Sequence, residues 1–440
     1  MSDKRMASRR DFLKSGTAVA AGVGLAGGLN IARTAHAAGG EELKVALIGC
    51  GGRGTGAASQ ALLTEGPVKL WAMADLSAEK LETSRKNLQA GCEASYDRAK
   101  VKGFRDQVDV PPERRFVGLD AYQKAIASGV DVVILATPPG FRPIHYAAAI
   151  AAGKNVFMEK PCCIDAPGFR TLMATNKLAD KKNLKVVVGL QRRYQTSYIN
   201  GIKKIHDGKI GEVLLQRAYW NSGEVWLRER KPNETEMEYQ LRNWYHFVWL
   251  CGDNICEQHV HNLDVCNWVK NAHPVKANGM GSCVQRYKHH DPKTGSGQIF
   301  DWHFVEFTYK DGSTMYSQCR QMPDTWTNVS EAIHGTKGQS NGQSGGQGAR
   351  NPYEQEHVVL FEAIRKNRKH NDGWYGATSS FTAVLGRMAT YSGRVVHWDE
   401  AVAKGPSEMP KRFALDAQPR ALPDKDGLYP IPVPGIYKAY

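Results

Sequence analysis

The sequence predicts an α/β protein of two domains, and three observations predict it. A short apolar run, Leu43 to Ile48, passes directly into a glycine-rich turn, Gly49-Cys50-Gly51-Gly52-Arg53-Gly54. Two further apolar runs, Val68 to Ala74 and Asp131 to Ala136, read like the first as buried parallel strands. The second half changes character: Leu214 to Tyr219, Ile299 to Tyr309 and Ser313 to Gln321 are rich in β-formers and aromatics, separated by turn residues. At 440 residues the chain is also too long for one ordinary core.

Composition narrows the class. The chain is 42% hydrophobic and 23% charged, as a soluble globular protein is. Its net charge is +14, and residues 1–37, with six basic and two acidic side chains, contribute +4 of it. The remainder favours anionic ligands weakly, but no basic tract interleaved with aromatics is present, so no nucleic-acid partner is expected. Nine cysteines, an odd number without paired C-x-x-C spacing, read as buried free thiols.

The N-terminus reads as an address. Ser8-Arg9-Arg10-Asp11-Phe12-Leu13-Lys14 matches a twin-arginine export signal, a weakly apolar stretch runs from Thr17 to Leu29, and Ala35-His36-Ala37 offers a cleavage site after Ala37. The stretch is too short and too glycine-rich for stable membrane insertion. The expectations are a partner in the twin-arginine machinery and a periplasmic or otherwise exported location. An exported enzyme has no nicotinamide pool around it, so a dinucleotide there should be held and recycled.

The glycines at 49, 51 and 54 fill the G-x-G-x-x-G pattern: a tight turn, close approach to a pyrophosphate, and close strand–helix packing. The helix that follows offers its first amides to phosphate. Asp75 closes the second strand, 24 residues after Gly51, where a carboxylate accepts from ribose hydroxyls and repels a 2′-phosphate. NAD is therefore favoured over NADP. The third strand ends in Thr137-Pro138-Pro139.

Beyond it, Gly153 to Pro161 ends in Glu159-Lys160-Pro161, and Val186 to Tyr194 and Gly211-Glu212-Val213 follow. With the glycine fingerprint these segments resemble the Gfo/Idh/MocA family of NAD(P)-dependent oxidoreductases, over most of residues 43–400. The resemblance implies an N-terminal Rossmann domain and a C-terminal α+β domain whose open, largely antiparallel sheet forms a cleft against the nicotinamide. The domains are read as 1–37 signal, 42–192 nucleotide domain, 193–400 substrate domain and 401–440 proline-rich tail, with seven prolines after Glu400 and an extended surface course. Gly338 to Gly348 reads as a mobile loop. Expected cofactor contacts are Gly49, Gly51, Gly52, Arg53, Gly54, Asp75, Thr137, Pro138, Glu159 and Lys160. The open sheet of such proteins implies a homo-oligomer.

The chemistry centres on Cys256 to Trp268, whose apolar spacing suggests one helix with a buried face. Glu257, His261 and Asp264 fall at i, i+4 and i+7 on one side of it, an arrangement suited to a proton relay. The segment resembles the family's D-x-x-x-H-x-x-D-x-x-x-W, which implies His261 as base and Lys160 as polarising cation. Glu257 stands where aspartate is usual, reaching one methylene further. Asp264, Tyr194 and Arg193 are candidate substrate contacts; Trp244, Tyr245 and His246 read equally as sugar-stacking or core residues. His259, His261 and Glu257 are set aside as metal ligands, because His-x-His on a helix splays the rings, and no metal is expected.

The reading is an exported, NAD-dependent oxidoreductase acting on a hydroxyl or keto group of a sugar or cyclitol. The alternative is a glycoside hydrolase in which bound NAD oxidises the sugar transiently, with elimination, water addition and reduction following.

Overall fold

The computed structural model describes residues 41–92, 101–284, 297–346, 348 and 350–440, so the export signal lies outside the described residues. The first domain alternates strand and helix: β1 Leu43–Ile48, α1 Gly52–Leu62, β2 Val68–Asp75, α2 Ala78–Ala90, β3 Arg115–Val117, α3 Ala121–Ala127, β4 Val132–Leu135, α4 Arg142–Ala151, β5 Asn155–Met158, α5 Ala166–Lys181 and β6 Val186–Val188. These strands form one six-stranded sheet in the order β3-β2-β1-β4-β5-β6, every pairing parallel. Helices on both faces explain why β4 is buried on each side and reads as an unbroken apolar run. The order reverses between β1 and β4, which opens a crevice at their carboxyl ends.

A 3₁₀ turn, Gln191–Tyr194, and α6 Thr196–His206 lead into the second domain. There follow β7 Val213–Ser222, α7 Glu236–Arg242, α8 Val248–Cys251, α9 Asn254–Glu257, α10 Val260–Lys270, β8 Lys276–Ser282, β9 Trp302–Thr308, β10 Thr314–Gln321, β11 Asn328–Gly335 and β12 Gly338–Ser340. The chain closes with α11 Pro352–Arg365, α12 Gly373–Ser392, β13 Val396–His397 and α13 Trp398–Lys404. The second sheet runs β12-β11-β7-β10-β9-β8-β13; only β7 and β10 pair in parallel, and the rest are antiparallel. Helices α10 and α12 cover one face. Helix α11 crosses back to the first domain and packs on α1 and β6.

Three local expectations are corrected. Residues 256–268 are not one helix: α9 ends at Glu257 and α10 starts at Val260, with Gln258 and His259 between them. Nor is only one face buried, because Val260 through Asn267 are all buried, sandwiched between the sheet and α12. The Gly338–Gly348 segment is pinned rather than loose. Its start adds an edge strand to β11, and the Ser344 amide donates to the Ser197 carbonyl at 2.8 Å. The tail after Glu400 is not simply laid over the surface, since Ala417, Ala421 and Tyr429 are buried against Phe247 and Trp249.

Candidate active site

The turn after β1 has the shape a dinucleotide needs. Gly49 has φ +99°, and a Cβ there would lie 2.6 Å from the Ala136 carbonyl carbon of the neighbouring strand end. A Cβ on Gly54 would fall 1.8 Å from the Gly49 carbonyl oxygen, so the helix packs on the turn only because that residue is glycine. Gly51 is the contrast: nothing lies within 4 Å of a Cβ built there. That open side is where a pyrophosphate would meet the backbone and the amino end of α1, which Gly52 begins. Asp75 buttresses the cradle, its Oδ2 accepting from the Cys50 amide at 2.6 Å and its Oδ1 from the Ser77 amide at 2.8 Å. Across the crevice Thr137 Oγ1 lies 3.1 Å from His145 Nδ1, and Pro138 caps a short 3₁₀ turn. The cradle fits NAD.

Two residues read as cofactor contacts have side chains engaged with each other. Arg53 donates from Nε to Glu159 Oε1 at 2.5 Å, and its Nη2 lies 3.4 Å from Glu356 Oε1. All three are largely buried, and buried charge demands a partner. Their carboxylates and guanidinium therefore lock the glycine turn, the Glu-Lys-Pro strand end and α11 together. Glu356 carries no local signal for this, being 303 residues from Arg53.

Lys160 follows β5 and reaches into the second domain, donating to the Glu257 carbonyl at 2.5 Å and to Glu257 Oε1 at 3.1 Å. Burial pushes the Glu257 carboxyl up, against the opposing pull of Lys160, and its Oε2 is buried without a protein partner. His261, the second residue of the next helix, stacks on Trp220 with ring centroids 5.9 Å apart. Burial first, then the charges of Lys160, Arg192 and Arg53, hold its imidazole well below the usual range. It is a neutral ring at pH 7, and its Nδ1 has no protein partner. An unpartnered carboxylate oxygen and a neutral imidazole beside a lysine are the groups that accept and deliver a hydroxyl proton.

The helical relay read for Glu257, His261 and Asp264 does not form. The break at Gln258 turns Glu257 toward Lys160, whereas Asp264 takes a bidentate pair with Arg193, at 2.9 and 2.8 Å, and a 2.7 Å bond from Ser379 Oγ. Arg193 in turn lies over the Tyr375 ring, 4.1 Å from its centroid. Tyr194 donates to Asp372 at the start of α12. The hydrogen bonds of Asp264, Arg193 and Tyr194 tie the turn Gln191–Tyr194 to α10 and α12. Tyr245 and His246 are buried, the first bonded to Gln321 and the second to the Trp226 carbonyl. His259 bonds through Nε2 to Ser317 Oγ at 2.8 Å, on the sheet side. Trp220 was absent from the sequence reading: a strand aromatic in a β-rich run carries no mark of the histidine it meets.

A parallel sheet with its glycine cradle at the switch point, facing a lysine–glutamate pair supplied by two domains, defines a two-domain dinucleotide-binding protein. Residues 43–190 match the family model of the Gfo/Idh/MocA oxidoreductases, NAD-binding Rossmann fold. Among curated relatives, the inositol 2-dehydrogenase of Acidiphilium cryptum is 24% identical over 247 residues, 56% of this chain and 60% of the relative. An inositol 2-dehydrogenase/D-chiro-inositol 3-dehydrogenase of Halalkalibacterium halodurans is 34% identical over 122 residues, 27% of this chain and 32% of the relative. The chain thus spans 60% or less of these relatives' length. The fold is that of scyllo-inositol dehydrogenase from Lactobacillus casei with bound NAD(H) and scyllo-inositol: TM-score 0.58, 16% identity, covering 81% of this chain and 99% of that one. Aldose-aldose oxidoreductase from Caulobacter crescentus shares it at TM-score 0.58 and 18% identity, covering 81% and 100%.

Proposed function

We propose that this chain is an exported NAD-dependent oxidoreductase acting on a secondary alcohol, or the matching ketone, of a cyclitol or sugar. The observation that carries the reading is the Lys160–Glu257 pair beside a neutral His261, on the far side of the crevice from the glycine cradle. The substrate class is supported by relatives named as inositol dehydrogenases. When bound, NAD supplies hydride acceptance or donation at the carbinol carbon. The protein does the rest. His261 takes the hydroxyl proton, Lys160 stabilises the developing oxygen charge, and the unpartnered oxygen of Glu257 holds a neighbouring hydroxyl. Gly49, Gly51, Gly52 and Gly54 with the start of α1 would seat the pyrophosphate, and Asp75 the adenosine ribose.

The test is absorbance at 340 nm with NAD and a panel of inositols and aldoses. Reduction of NAD by at least one of them supports the reading, and none across the panel sinks it. Redox-neutral hydrolysis stays as a second reading, favoured by the Arg9-Arg10 signal, since an exported protein meets no free nicotinamide pool. Release of nitrophenol from nitrophenyl glycosides without added NAD would select it. Export itself is tested by loss of the mature protein from the periplasm of a host lacking the twin-arginine translocase.

Self-association belongs to the same proposal. The sheet face opposite α10 and α12 sets Met280, Phe304, Gln318 and Tyr219 in register across four strands, and Met280 is 62% exposed. A mostly apolar row of that kind, interrupted by one glutamine, suits a second copy of the chain. Sedimentation of the wild type as a monomer would exclude this.

A further inference from the structure

The tail from Glu408 to Tyr429 is anchored at both ends. Glu408 is buried; its amide donates to Asp165 Oδ2 at 2.8 Å, and its carboxylate faces Arg387 at 3.7 Å and Arg420 at 3.4 Å. Tyr429 is buried too, donating to Glu236, receiving from Arg230 Nη2 at 2.6 Å and packing edge-on against Phe247, centroids 4.9 Å apart. Between the anchors the backbone is tied twice to α7: Thr235 Oγ1 donates to the Leu415 carbonyl at 2.9 Å and Gln240 Nε2 to the Ala421 carbonyl at 2.7 Å.

What this segment lies on is the informative part. Met409 Sδ sits 3.2 Å from where a Cβ on Gly140 would be, and Phe413 packs on Phe141 with centroids 5.8 Å apart. Ala414, Ala417 and Ala421 join one apolar cluster with Phe141, Leu76 and Leu119. Leu76 follows Asp75, and Gly140 and Phe141 belong to the turn after β4, so the tail bears on the loops that follow β2 and β4, the two neighbours of β1 in the sheet. In a Rossmann domain the acidic residue at the end of the second strand marks the adenosine end of the dinucleotide.

We propose that residues 408–429 form the outer wall of the adenosine site, a strap that slows dinucleotide release, with Glu408 and Tyr429 as its anchors. The proposal rests on the NAD reading above. It also gives a physical means of keeping the cofactor where no pool replaces it. Both the conformational stiffness of the prolines and the buried anchors reduce the entropy to be lost on closing over a ligand.

The experiment loads purified full-length protein with fluorescent etheno-NAD and follows its release into excess NAD. Glu408→Ala removes an anchor; Phe413→Ala, at a side chain 41% exposed, thins the wall without emptying the core. Release should accelerate tenfold or more in both. In the wild type, NAD should also slow amide hydrogen exchange across 409–421, a readout that needs no variant. If the wild type takes up no etheno-NAD, the cofactor reading fails and the strap with it. If it binds, but both variants release at the wild-type rate or exchange over 409–421 is unmoved by NAD, the strap alone is overturned.

Discussion

Lys160 donates to Glu257 twice, to the backbone carbonyl at 2.5 Å and to the carboxylate at 3.1 Å, and so fastens the end of β5 to the break between α9 and α10. The contact is an ion pair between the Glu-Lys-Pro motif and the histidine-bearing segment. It joins the half that seats the dinucleotide to the half that would accept the proton. Lys160→Met should lower kcat by about 10²- to 10³-fold, the usual cost of losing a donor at a developing oxyanion. It should leave the dissociation constant for NAD within a few-fold, checked by titration of protein fluorescence. Removing the cation also removes what holds the Glu257 carboxyl down, so its protonation should extend to higher pH.

The glycine cradle separates folding from binding. Gly51→Ala meets open space and should melt within a few degrees of wild type, yet weaken NAD binding tenfold or more, because the methyl occupies the phosphate approach. Gly54→Ala strikes the Gly49 carbonyl and should destabilise the domain itself. Thermal melts with and without NAD distinguish the two.

Four buried histidines set an acid limit. Burial pushes His145 and His259 down to about 3, and holds His261 and His357 well below their ordinary value. Below about pH 6.5 the unfolded chain binds these protons and the native one does not, so stability falls as pH falls. Glu257 and Asp165, raised by burial, titrate in the opposite sense at lower pH and offset part of this. The melting temperature should drop steadily from pH 6.5 to 5, whereas a chain without these rings would hold level. A flat profile in calorimetry would contradict the burial of neutral imidazoles.

At the domain junction, Asp264→Ala strands the Arg193 guanidinium and opens the Ser379 bond. Breaking a buried pair on one side should cost about 3–5 kcal/mol by urea denaturation. A loss of activity without a loss of stability would instead return Asp264 to a substrate role.

How much was legible in the sequence follows from how local each signal is. The strands of the first domain and the cradle could be read because apolar runs and glycine positions are set by neighbours in the chain. The helix expected over 256–268 failed on a tertiary cause: burial on both sides removes the periodicity that one-sided burial writes. The i, i+4 spacing of Glu257 and His261 was real, but the break at Gln258 redirected the glutamate to a lysine 97 residues away. Arg53 and Glu356, or Glu408 and Arg387, are pairings between distant segments that no local pattern encodes. The tail misled because prolines read as exposure, while the alanines and tyrosine that bury it are too sparse to form a pattern.

The central claim is that the cradle and His261 serve one reaction, and a single-turnover comparison tests it most directly. Stoichiometric protein–NAD is mixed with an oxidisable inositol and absorbance at 340 nm is followed, for the wild type and for His261→Ala. The account predicts NADH formation in the wild type, and an unchanged NAD affinity with a rate lower by about 10²- to 10⁴-fold in the variant. NADH formation by His261→Ala at the wild-type rate would contradict it.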